Sequence, residues 1–340
     1  MSSATRMTAR LASLLFIGAV CTAAPAAASD KLELRLRLKK GDVYRLKLTV
    51  DQHVEQGAGQ TTGGEARRPR GGADGGGSSA PPLKPQTVEQ VLTVGYTMSV
   101  EDVDADGAMT ITTAYDSVAL RQKGPSGAVE YDSANPPKQP APAARAFAVL
   151  PGLSFKMTVT PAGTVKSVDG VNEMLAEVVR RLSLPEGPER RNVQKALSEQ
   201  FGDAAMKQNM QDLFALYPPR PVAVGESWDH KVAVSRGFPV VIDGAYTLKG
   251  RGGGVAEIAL KDKLSPNDAA GPVELGTGKM AYELTGAQRG TARVDEATGW
   301  TQSLATEQEL TGTLRFKTAG NVETMIPVTV KSKVTVEPLK

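Results

Sequence analysis

From Leu32 to Val50, on both sides of a short turn, every even position is apolar. Leu32, Leu34, Leu36 and Leu38 precede a charged turn, Lys39-Lys40-Gly41-Asp42, and Tyr44, Leu46, Leu48 and Val50 follow it. Most positions between them are Lys, Arg, Glu or Thr. A period of two on both arms predicts a half-buried antiparallel hairpin, since a helix would spread those leucines around its circumference. The parity recurs almost to the C-terminus. Leu92, Val94, Tyr96, Met98 and Val100 are followed by Met109, Ile111, Thr113 and Tyr115, with Asp106-Gly107 between them as a hairpin turn. The return to even parity at Val118 and Leu120 predicts a bulge near Asp116. Phe155, Met157 and Val159, then Val165 and Val168, flank the turn Pro161-Ala162-Gly163. From Trp228 to Val336 further alternating runs bring the expected total to roughly 11 to 13 strands.

The period changes once, over residues 169–217. Val171, Met174, Leu175, Val178, Val179 and Leu182 fall on one face of an amphipathic helix, with Asp169 as its N-cap. Pro188 opens a second helix carrying Val193, Ala196 and Leu197. Met206, Met210, Leu213, Phe214 and Tyr217 mark a third, stopped by Pro218-Pro219. A sheet with one apolar face must cover it, and these helices are the available cover. The expected fold is mainly β with some α: a large curved antiparallel sheet or half barrel, about three central helices on its apolar face, resembling lipoprotein carriers.

Two stretches break the pattern. Residues 57–85 are dense in Gly, Ser and Pro, with Arg67, Arg68 and Arg70, and hold too little apolar surface to offset the entropy of ordering. They read as a disordered insert. Residues 123–144 are Pro/Ala-rich around the short patch Val129-Glu130-Tyr131-Asp132-Ser133. Residues 1–29 have the form of a signal peptide: Arg6 and Arg10, the apolar run Leu11 to Cys21, then Ala26-Ala27-Ala28. Val20 directly before Cys21 argues against acylation of that cysteine. Residues 30–340 are then one β-rich domain, periplasmic or secreted, without an integral membrane segment after cleavage.

Composition narrows the function further. The 40 basic and 37 acidic residues give a formal net charge of +3, and the leader takes two arginines with it, so no basic field points to nucleic acid. Aromatic residues at 5% are too few for base- or sugar-stacking platforms or for the girdles of a transmembrane barrel. Cys21 is the one cysteine, so the exported chain has no disulfide or thiolate ligand. Asp102 to Gly107 look like the opening of a calcium loop, but Thr113 stands where a bidentate Glu is required. The histidines are His53 and His230. Ser227, Asp229 and His230 make a triad on paper only, because neighbouring strand residues point to opposite faces. No catalytic residue, metal site or cofactor is expected.

Several turns carry a resemblance. In chain order these are Leu38-Lys39-Lys40-Gly41-Asp42, Val129 to Ser133, Thr160-Pro161-Ala162-Gly163-Thr164-Val165, Arg220 to Val224 leading into Gly225-Glu226-Ser227-Trp228, and Asp295 to Gly299. Together they resemble the exported bacterial domain-of-unknown-function 6263 family, which implies a β-rich envelope protein and assigns no catalytic residues. The resulting expectation is a non-enzymatic envelope protein holding an apolar ligand, such as a lipid or lipoprotein acyl chain, in the concave face of the sheet. Its candidate ligand-binding residues are Met206, Met210, Phe214, Tyr217 and Trp228. The alternative is a structural or protein-interaction module whose core is filled by side chains. A hydrolase centred on His230 is the remaining, weaker reading.

Overall fold

The structure is a computed structural model. It describes residues 31–62, 84–141, 144–182, 202–214, 216–235, 238–275, 278–318 and 322–339, with isolated positions between 186 and 198. The expected signal peptide, most of the insert at 57–85 and the helix expected to open at Pro188 lie outside the described residues.

Alternation predicts strands, and strands form. Among the described residues 14 join a single antiparallel sheet. In chain order they are β1 (Val43–Gln56), β2 (Gln60–Thr62), β3 (Gln86–Val103), β4 (Met109–Gly124), β5 (Gly127–Asp132), β6 (Ser154–Val159) and β7 (Val165–Asp169). The second half adds β8 (Ser227–Val234), β9 (Val240–Gly252), β10 (Val255–Pro266), β11 (Val273–Leu275), β12 (Gly278–Asp295), β13 (Thr301–Thr318) and β14 (Glu323–Pro338). The order across the sheet is β7-β6-β4-β3-β1-β14-β13-β12-β10-β9-β8, with β5, β11 and β2 beside β4, β12 and β14. The sheet is open, with β7 and β8 at the ends of that path. Its two halves are meanders joined where β1 pairs with the C-terminal β14. Gln60 to Thr62, inside the stretch read as a disordered insert, pair with Glu323 to Met325.

The first hairpin is not formed. Leu32 to Leu38 keep their parity and are buried, at 7%, 1%, 1% and 4% exposure, but they do not fold back on β1. The segment is an extended strap whose backbone bonds go to loops. Leu32 exchanges bonds with Val222, Leu36 N–H donates to Pro161 O, and Arg37 N–H donates to Thr298 O. Period two reports which side is buried and not which backbone is the partner. The partner of β1 is β3, in register from Val43 opposite Ser99 to Gln56 opposite Gln86. The expected bulge is present, because Gly95 faces Ser117 while Tyr96 faces Tyr115, leaving Asp116 extra.

Among the described residues, the expected helical cover does not extend across the apolar face. Helix α1 is a single turn, Arg145–Ala148. Helix α2, Val171–Arg181, buries Val171, Met174, Leu175, Val178 and Val179 as the spacing predicts. Its N-cap is Gly170 rather than Asp169, with φ of 86°. The carboxylate serving that terminus comes from α3 (Asp203–Phe214): Asp203 accepts from Val171 N–H at 2.9 Å and from the Asn172 amide at 2.7 Å. Helix α3 is fixed to the sheet edge by Gln211, whose oxygen accepts from Val165 N–H at 2.8 Å while its amide nitrogen donates to Gly163 O at 3.2 Å. An edge strand otherwise presents unpaired backbone, so this amide shields β7. Helices α2 and α3 therefore pack on β6 and β7 at one end of the sheet, because a stripe of five buried residues is too short to span it.

The sheet is rolled by glycines. A Cβ at Gly244 would stand 2.2 Å from Lys261 O, at Gly286 1.9 Å from Glu309 O and at Gly290 2.4 Å from Ala305 O. Neighbouring backbone curls over the inner face at those three places, and glycine is the residue that permits such close approach. We predict that Gly286→Ala costs about 1–3 kcal/mol, the usual penalty of forced overpacking. Gly250→Ala, where nothing lies within 4 Å of the added carbon, is tolerated. Urea midpoints of the two variants, measured side by side, check this; equal midpoints would refute it.

Candidate functional site

Register and parity sort the side chains into two faces. The outer one is a lattice of exposed cross-strand ion pairs, among them Lys231–Asp243 at 2.9 Å, Arg289–Glu307 at 2.9 Å and Lys331–Glu309 at 3.9 Å. Exposed pairs of this kind contribute about 0–1 kcal/mol each, so their main effect is solubility and register. An open groove of about 550 Å³ lies among them, lined by Asp51, Lys261, Arg289, Glu307, Lys333 and others. Within it Glu307 pairs with Arg289 and Lys333, and Glu309 with Lys331; Asp262, Gln288, Gln308 and Ser332 of the inner face also border it.

The inner face is different. One row crosses it from edge to edge. His230 stands opposite Gly244, Gly244 opposite Asp262, Asp262 opposite Gln288 and Gln288 opposite Gln308. Gln308 then faces Ser332, Ser332 faces Gln52, Gln52 faces Gln90 and Gln90 faces Gln122. Apolar rows flank this polar belt. On one side lie Tyr246, Leu260, Val334, Val50 and Leu92, and on the other Ile242, Leu264, Leu310, Val330 and Val54. Along the belt and the two rows beside it, from β8 to β3, there is no lysine or arginine, and Asp262 is the one carboxylate; Arg251, opposite buried Ala256 at the end of β9, is held by Glu296 at 2.7 Å.

A cavity of about 210 Å³ opens over this belt. One end is walled by Leu46, Tyr96, Met98 and Trp300, with Phe214, Leu216 and Tyr217 supplied by α3 and the loop after it. Val232 and Ile242 close the far side, and His230, Gln288, Thr301 and Thr306 are its polar groups. Strands β3 and β8 stand far apart in the sheet order, yet Met98 and His230 line the same space. The rolled sheet brings them together. An apolar cavity of about 150 Å³ suffices to take up benzene, so this one has room for a short hydrocarbon segment.

The polar lining is electrically neutral. His230 is buried at 8% exposure, stacked on Tyr246 with ring centroids 4.4 Å apart, and burial lowers its pKa. Burial pushes Tyr96 up to about 12 and raises Tyr217 well above its ordinary value. The Tyr217 hydroxyl donates to Gly299 O at 2.7 Å. Asp262, 4% exposed, accepts from the Gln288 amide at 3.2 Å through Oδ2, while its Oδ1 has no partner.

The sequence-predicted residues divide. Phe214 and Tyr217 line the cavity. Met206 and Met210 pack against the hydrophobic core beside it without reaching the lining. Trp228 is buried behind the cavity, edge-on to Tyr246 at 5.9 Å, and its indole N–H has no partner. His230 belongs to the lining, where Asp229 and Ser227 do not join it. Gln288, Leu260, Leu304 and Thr306 were not picked out in advance. The signal was available, since Gln52, Gln90, Gln122, Gln288 and Gln308 interrupt otherwise apolar alternation, but their alignment depends on register. No cluster of metal-ligating side chains occurs among the described residues, nor any helix long and apolar enough to cross a membrane.

Fold and site together define a β-rich protein built on one rolled antiparallel sheet with a largely uncharged inner face and a small apolar cavity. The family profile described as a family of unknown function (DUF6263) matches residues 106–301, more than half of the chain, and the chain belongs to that family. No curated protein matches it. A solved structure described as "lipid-protein interactions in lipovitellin" is similar over 89% of this chain and 25% of its own, at 9% identity and a TM-score of 0.46. The chain thus spans about a quarter of that one, a likeness too slight to carry a functional argument.

Asp262 generates a pH prediction. Burial raises its folded pKa above the unfolded value of about 3.9. The group's contribution to stability is therefore fully present below the unfolded pKa and is lost as pH rises through the folded one. Asp262→Asn keeps an acceptor for Gln288 and removes the charge. Its stability relative to the wild type increases on going from acid to neutral pH. Denaturant unfolding of both proteins across that range checks this, and a difference that stays flat with pH would contradict it.

Proposed function

We propose that this is a non-enzymatic, exported envelope protein that holds an apolar ligand, such as a lipid or acyl chain, against the inner face of its sheet. The observation that carries the reading is the cavity: an unfilled space walled by Leu, Met, Val and aromatic side chains, with no lysine or arginine in its lining. A sheet meant only to be covered by its own helices would have no use for such a space. Among the described residues, α2 and α3 pack mainly on β6 and β7, and over β8 to β10 only the end of α3 reaches the cavity, through Phe214. Export is supported by the arginine, apolar and alanine pattern of residues 1–29. The half-barrel form also suits a carrier. The cavity favours this reading over an interaction module with a filled core.

Native mass spectrometry of gently purified protein tests it, with an adduct of lipid mass as the expected result. Recovery of the bare chain alone from several preparations would overturn it. Val232→Trp, on the end strand β8, places an indole in the cavity; it is expected to abolish the adduct while leaving the circular dichroism spectrum unchanged.

A further inference from the structure

Resting on the reading of the cavity as a ligand site, we propose that the ligand is an amphiphile with an uncharged, hydrogen-bonding head, such as a hydroxyl- or amide-bearing acyl ester or acyl amide, and not a free fatty acid or an anionic phospholipid. The cavity is sided. Its wall at Met98, Phe214 and Trp300 is suited to hydrocarbon; of its polar groups, His230 and Gln288 come from the belt, Thr306 from the row next to it, and Thr301 stands beside Trp300. A ligand lying along it has its chain at one end and its head over the belt.

The chemistry of the belt sets the charge of that head. Gln288 donates one amide hydrogen to Asp262, which fixes the side chain and leaves its carbonyl oxygen and second N–H to a ligand. Neutral imidazole offers one donor and one acceptor, and Thr306 adds a hydroxyl. A hydroxyl or amide can satisfy such a set. A carboxylate or phosphate is disfavoured, because these neutral donors come without a cation to offset the desolvation of a buried charge. Lys261 and Arg289 alternate to the opposite face, and Arg251, at the far end of β9, is bound to Glu296. The one charge near the belt, Asp262, would repel an anion. Further along the row Gln308, Ser332 and Gln52 continue the same neutral chemistry, so the preference does not depend on one residue.

Titration of the purified chain with monolauroylglycerol, laurate and dodecylamine, followed through the fluorescence of Trp300 in the cavity wall, tests this. At about pH 8, where a fatty acid is ionised, monolauroylglycerol is expected to bind at least about ten-fold more tightly than laurate, a difference of one missing ion partner. Laurate or dodecylamine binding as well as the glyceride would overturn the head-group inference while leaving the cavity reading intact. If none of the three binds, the cavity reading fails as well. Gln288→Lys supplies the absent cation and is expected to shift preference toward laurate, with circular dichroism confirming the fold; unchanged preference in a folded variant would also count against the inference.

Discussion

Every feature of this molecule depends on one constraint: antiparallel pairing that stays in phase across the sheet from β7 to β8. Side chains on a strand alternate with a period of two, so a slip of one residue between any two partners would exchange their faces. The pairing holds instead from His230 to Gln122, through nine strands, with bulges where β3 meets β4 and near the ends of β10 and β12. A chain-wide rule therefore results, in which charge goes outside and neutral residues go inside. The outer ion pairs reinforce that rule more than they stabilise it. Each one is exposed and weak, but in the wrong register those same lysines and glutamates would be buried.

Curvature is the second ingredient, and it comes from missing side chains. Gly244, Gly286 and Gly290 sit where inward Cβ atoms would strike the adjoining backbone. A flat sheet of this many strands could not bring β3 and β8 to one cavity, since neighbouring strands are about 4.8 Å apart. The glycines let the inner face close on itself. The helices then seal the β7 end, with Gln211 on the edge strand and Asp203 on the terminus of α2.

Three of the turns that carry the family resemblance meet in space. The strap from Leu32 to Leu38 bonds to Val222, to Pro161 and to Thr298, one residue from each of three such turns. Gly299, with φ of 70°, packs against Arg35 so closely that no side chain would fit, and Tyr217 of the cavity wall bonds to the same glycine's carbonyl. Asp295 organises that last turn by accepting from Ala297 N–H, Thr298 N–H and the Thr298 hydroxyl, which holds its carboxyl below the ordinary range. These motifs are thus parts of one junction that anchors the strap beside the cavity.

The sequence by itself determined which residues face inward, that the fold is mainly β, where the Asp116 bulge falls and which family the chain joins, because alternation and turn chemistry are local. It misassigned the partner of Leu32 to Leu38, the cap of α2 and the extent of helical cover, since each depends on groups distant in the chain. Phe214 and Tyr217, singled out by their helical stripe, line the cavity. The belt was not legible, because Gln52, Asp262, Gln288 and Gln308 become a row only when strands far apart in sequence pair in one register. Tertiary structure decided that, and with it the cavity, since hydrogen bonds across strands carry positional information that no single strand contains.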